Sequence, residues 1–82
     1  MKLWLLEARE DLPDENNPWE PWYDKCFGLV VRAPDEATAR EIAAAWPGDE
    51  GAAAWRDPRL SECGELTAEG GVEIILKDYH SA

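Results

Sequence analysis

Few residues of this chain could do chemistry: one histidine, His80, two cysteines, Cys26 and Cys63, and a surplus of carboxylates. Structural zinc sites bring two ligands within a few residues of each other, and no pair among Cys26, Cys63 and His80 is spaced that way. A nucleophilic Cys63 would need a base, for which His80 is the one candidate. A lone histidine reads more readily as surface decoration, and both thiols read as buried structural cysteines. Carboxylate pairs recur at Asp14-Glu15, Asp35-Glu36 and Asp49-Glu50, so no one of them is distinctive. General acid–base work also needs a pocket that drives two pKa values apart, which a very small domain rarely encloses. Gly70-Gly71 precedes a strand-like run rather than a helix, so it is a turn and not a phosphate cradle. The expectation is a protein that is not an enzyme and uses neither metal nor cofactor.

Removing catalysis leaves residues 10–24, EDLPDENNPWEPWYD, as the segment with the strongest signal. They hold six acids, three prolines, three aromatics and no base. Each proline fixes a φ angle and removes a backbone donor, so neither a regular helix nor a central strand fits. Solvated linkers are poor in aromatics, yet Trp19, Trp22 and Tyr23 cluster here. Acids and aromatics together on a long loop fit a contact surface, because tryptophan and tyrosine dominate interface hot spots. The candidate partner-binding residues are therefore Asp11, Asp14, Glu15, Trp19, Glu20, Trp22, Tyr23 and Asp24. The tryptophans have a second use, folding back over an otherwise bare sheet face. Trp4 and Trp46 are expected in the core, Trp19 and Trp22 at least partly exposed, and Trp55 fits either place.

The whole chain is acidic, with 18 acids against 8 bases and a formal net charge of −10 over 82 residues. A polyanion repels nucleic acid and anionic membrane, and no basic stripe relieves this. Arg56 and Arg59 lie near Trp55 but among acids. The charge favours a basic protein surface, whose complementary field speeds encounter. No run approaches the ~20 apolar residues of a membrane-spanning helix. The opening MKLWLLEARED lacks the small-residue cleavage site of a signal peptide, so a cytoplasmic location with reduced thiols is expected.

The elements that must position the loop follow from periodicity. Residues 2–8, KLWLLEA, form a first strand that is apolar on both faces. Residues 25–33, KCFGLVVRA, form a second, with Phe27, Leu29, Val31 and Ala33 on one face and Cys26, Gly28, Val30 and Arg32 on the other. Gly28 within it suggests a bulge or a close approach. Residues 36–46 form an amphipathic helix capped by Asp35, with a Glu36–Arg40 pair and an apolar stripe at Ala39, Ile42, Ala43 and Trp46. Pro47-Gly48 ends it. Residues 47–71 are irregular, with a helical turn at 52–55 and a 61–67 segment that is either extended or helical. Residues 72–79, VEIILKDY, are rich in β-branched residues and form the third strand, with Val72, Ile74 and Leu76 facing one way.

A right-handed crossover then gives one α+β domain over residues 1–82: a two-layer sandwich of topology β-β-α-β. Its three-stranded antiparallel sheet has order 2-1-3, with the helix on one face. Trp4 or Leu6, Val30 and Ile75 are left on the other face, to be covered by residues 47–68 or by a second subunit.

These motifs resemble those of small, mostly uncharacterised proteins encoded by bacteriophages and prophages. The resemblance lies in the opening KLWLLEA, the Tyr23-Asp24 pair in the loop, VVRAPDEATAREIAA at 30–44 and GVEIILKDYHSA at 71–82. It implies a class that includes anti-CRISPR and other anti-defence inhibitors, some of which occupy basic nucleic-acid channels as DNA mimics. It transfers no functional residue. The expected function is a non-enzymatic, phage-type inhibitor in the host bacterial cytoplasm. It would bind a basic site on a host defence protein such as a CRISPR effector subunit, by steric block or DNA mimicry. The alternative is a homo-oligomeric structural or accessory phage protein, for instance a homodimer.

Overall fold

The computed structural model describes residues 1–79. The chain runs β1 (Lys2–Ala8), β2 (Gly28–Ala33), α1 (Glu36–Ala45), α2 (Ala52–Arg56) and β3 (Ser61–Leu66). β1 lies between the other two strands and is antiparallel to both, giving the expected α+β sheet of order β2-β1-β3. Period-two alternation puts Trp4, Leu6 and Ala8 of β1 on one face, opposite Val31, Leu29 and Cys63 of its neighbours. Leu6 is wholly buried there, with Val31 and Ala33 beside it.

The helix follows its local signals at its start and departs from them along its face. The Asp35 carboxylate accepts the Thr38 N–H at 2.8 Å, which holds that carboxyl below its ordinary value. Arg40 Nε donates to Glu36 Oε2 at 2.9 Å. The buried residues are Ala39, Arg40, Ala43 and Ala44, so the expected stripe is rotated. Ile42 is exposed, and Trp46, expected in the core, is 82% exposed at the C-cap. The rotation follows from Arg40. Its guanidinium donates to the Trp55 carbonyl at 2.9 Å, the Ser61 hydroxyl at 3.0 Å and the Ser61 carbonyl at 3.2 Å. Those bonds require the arginine inside, where it ties α1 to α2 and to the start of β3.

The bulk that the alanine-rich helix lacks comes from Trp55 on α2 and Trp19 from the loop, packed edge-to-face with ring centroids 5.5 Å apart. Each such ring removes roughly 150–250 Å² from water, worth about 4–6 kcal/mol before ordering entropy.

The third strand is SECGEL, 61–66, and not 72–79 as the propensities suggest. Glutamate and glycine are poor strand formers, but strand preference depends mainly on packing context. Cys63 sits opposite Leu6, and Arg40 clamps Ser61, so tertiary contacts outweigh local preference. The 47–71 stretch is correspondingly less irregular than expected, holding α2 and β3. Residues 72–79 form no strand; Leu76 instead lies over Gly28, its Cδ1 3.4 Å from where a Cβ would stand. That contact is the close approach expected at Gly28. α2 packs against α1 and does not cover the second sheet face, on which Leu3 and Val30 remain exposed.

Candidate partner-binding surface

The acidic loop is long and largely without regular structure, yet it is pinned at defined points. Asn17 Oδ1 accepts the Trp19 N–H at 2.9 Å, turning the chain so that the indole enters the core. Trp19 is 3% exposed, and its Nε1–H donates to the Cys26 carbonyl at 2.7 Å. The expected exposed anchor is therefore a core residue. The reason is the size of the domain: three short strands and small helix residues leave a void that only a large ring fills.

The second pin is Glu50, a buried carboxylate that takes three donors. Its Oε1 accepts the Cys26 N–H at 2.9 Å. Its Oε2 accepts the Gly48 N–H at 2.9 Å and the Trp55 indole N–H at 2.7 Å. Beside it the Asp49 N–H donates to the Asp24 carbonyl at 2.8 Å. A Cβ on Gly48 would stand 2.7 Å from the Asp24 oxygen, so glycine is required where loop and helix connection meet. No sequence pattern distinguishes Glu50 from the other acids, because two of its three donors are backbone amides.

With the loop so held, the remaining candidates face outward. Asp11, Asp14, Glu15, Glu20 and Asp24 are exposed. Trp22 and Tyr23 are 42% and 61% exposed, and their rings sit 4.5 Å apart, tilted by 35°. Neighbouring-ring support of this kind limits the entropy an exposed aromatic loses on binding. Ion pairs among the described residues engage Glu36, Glu41, Asp57, Glu62 and Glu65. None of the loop's carboxylates joins an ion pair among the described residues. Seven of the eight candidate residues are thus exposed, and Trp19 is buried.

A groove of about 380 Å³ lies between the loop and the segment after β3, walled by Trp22, Phe27, Leu76 and Tyr79. Glu10 and Glu20 line its rim. Phe27 follows the loop closely in sequence, whereas Leu76 and Tyr79 come from a distant stretch that only the fold brings to it.

The surroundings of both thiols favour the neutral form over the thiolate. Burial pushes Cys26 above the ordinary cysteine value, with Glu50 and Asp78 adding to it and a hydrogen bond with the Gly28 backbone opposing it. Burial likewise raises Cys63, aided by Glu36 and opposed by Arg40. Both are free. His80, the base invoked for Cys63, lies outside the described residues. A raised value favours the neutral thiol, so its stabilising effect is present below the unfolded value of 9.0 and is lost as pH rises through the folded value. We expect labelling by a thiol-specific disulfide reagent at pH 7.5 to run several-fold slower on the folded chain than on the urea-unfolded chain, accelerating above pH 9. Equal rates would show accessible, unperturbed thiols.

Among the described residues no group of three histidine, cysteine or acidic side chains is placed to hold a metal, and no helix is long and apolar enough to cross a membrane. Comparison with protein-family models, curated proteins and solved structures finds no match to this chain.

Proposed function

We propose that this chain is a non-enzymatic binding protein whose acidic, aromatic loop docks on a basic surface of a host protein. The phage-type inhibitor of a defence protein is the leading form of that reading, with a CRISPR effector subunit as its target. The observation that carries it is the Trp22–Tyr23 ring pair, exposed among carboxylates that have no cation of their own. Asp11, Asp14, Glu15, Glu20 and Asp24 would stand in for phosphates against arginine and lysine, while Trp22 and Tyr23 supply buried contact. Binding to a purified CRISPR surveillance complex, titrated with salt, tests it. Affinity should fall steeply between 50 and 200 mM salt, as for a phosphate backbone. Trp22→Ala with Tyr23→Ala should weaken it by about 2 kcal/mol or more, roughly thirtyfold. Absent or salt-insensitive binding would sink the DNA-mimic version.

A second reading, self-association as an accessory phage protein, is favoured by the open sheet face with Leu3 and Val30 uncovered. Salt separates the two, since it screens attraction to a basic partner but relieves repulsion between two chains of charge −10.

A further inference from the structure

Two features of the fold are unused by the loop. The first is the outer edge of β2. The Ala8 N–H donates to the Phe27 carbonyl at 2.9 Å, which fixes the phase of the β1–β2 ladder. Bonded pairs alternate along an antiparallel ladder, so Leu29, Val31 and Ala33 turn their backbone groups toward β1. Gly28, Val30 and Arg32 turn theirs outward. Among the described residues the backbone groups of Val30 and Arg32 find no partner there. The second feature is the 72–77 segment, VEIILK. It has the composition and alternation of a strand, yet it pairs with none, and Ile74 is 75% exposed with Val72 fully so.

These two features are complementary in one antiparallel register. Setting Glu73 opposite Arg32 brings Ile75 opposite Val30 and Lys77 opposite Gly28 on the open face of the sheet. On the other face Val72, Ile74 and Leu76 then meet Ala33, Val31 and Leu29, apolar against apolar throughout. The register also satisfies the ladder, because Glu73, Ile75 and Lys77 meet the outward-turned backbone groups of Arg32, Val30 and Gly28. The opposite edge fits less well: β3 carries Glu62 and Glu65, whose charge opposes Glu73.

We propose that residues 72–77 of one copy add as a fourth strand to the β2 edge of a second copy, exchanged reciprocally so that the contact closes as a dimer. The occupant is a second copy because in its own chain Leu76 lies over the face of β2, at Gly28, and not beside its edge. The segment departs from β3, beyond β1 on the far side from this edge. This inference rests on the second reading, self-association, and leaves the loop free for another partner.

The test mixes two single variants of the full chain, Val30→Cys and Ile75→Cys, under mild oxidation. Opposed residues in a bonded antiparallel pair lie about 5.5 Å apart at Cα, within disulfide reach. A covalent heterodimer identified by mass, absent from either variant alone, is the expected result. Light scattering on the unmodified chain should show a dimer whose fraction rises with salt. Ile75→Pro should abolish it, because this register uses the Ile75 N–H as a ladder donor. Ile75 is exposed and outside the core, so that variant keeps its fold. A dimer that survives Ile75→Pro and does not cross-link would overturn strand exchange while keeping self-association. A monomer at every salt concentration would overturn both. A disulfide formed only within one chain, when both cysteines are placed together, would place the strand on its own sheet and refute the exchange.

Discussion

Glu50→Ala is expected to destabilise this protein by about 4 kcal/mol, because it strands three donors at once. The Cys26 and Gly48 amides and the Trp55 indole all point at this carboxylate. An unmet buried donor costs about 1–3 kcal/mol, so the loss approaches the whole stability of a domain at the low end of the usual range of about 5–15 kcal/mol. Glu50→Gln is the sharper probe. It keeps the volume but turns an amide NH₂ toward donors whichever way it is placed, so a loss of about 2 kcal/mol remains. Urea unfolding followed by far-ultraviolet circular dichroism measures both. A Glu50→Ala chain within about 1 kcal/mol of the parent would mean that water replaces the carboxylate and the loop needs no such pin.

Trp19→Ala and Trp22→Ala, three positions apart in one loop, should behave as opposites. Trp19 is buried edge-to-face on Trp55 and its indole N–H is spent on the Cys26 carbonyl. Truncating it should cost about 3–5 kcal/mol, as for other large-to-small core changes. Trp19→Phe, which keeps a ring and strips the N–H, should cost less, about 1–2 kcal/mol. Trp22 is exposed, and its removal should move stability by no more than about 0.5 kcal/mol while weakening any partner contact. A joint Trp19/Trp22 alanine variant would therefore test folding rather than recognition, and the pair to use on the surface is Trp22 with Tyr23. If Trp19→Ala unfolded at the same urea concentration as the parent, the indole would not be a core element. Binding untouched by Trp22→Ala would remove the aromatic pair from the contact.

How far the sequence carried depended on whether a signal was local. The extent of β1, the Asp35 cap and the Glu36–Arg40 pair are interactions among near neighbours, and all three stand as read. Sheet order followed too, since a strand apolar on both faces belongs in the middle. The third strand did not. By composition VEIILKDY is the better strand and SECGEL the poorer, yet the edge of β1 is taken by the segment that Arg40 and Cys63 hold in place. Sequence periodicity likewise misplaced the helix face, because it scored Arg40 as polar and therefore outside. Only the fold supplies the carbonyls and hydroxyl that make a buried guanidinium satisfiable.

The loop divides along the same line. Its content of acids, prolines and aromatics by itself determined that residues 10–24 form no regular element and carry a concentrated negative charge. Which aromatic stays outside was beyond it, since Trp19 and Trp22 share their type and the proline that precedes each. Tertiary structure decided that question by volume and by hydrogen bonding. A small core of alanines leaves one ring-sized space beside Trp55, and the Cys26 carbonyl offers one acceptor next to it, so one indole enters and the other remains at the surface.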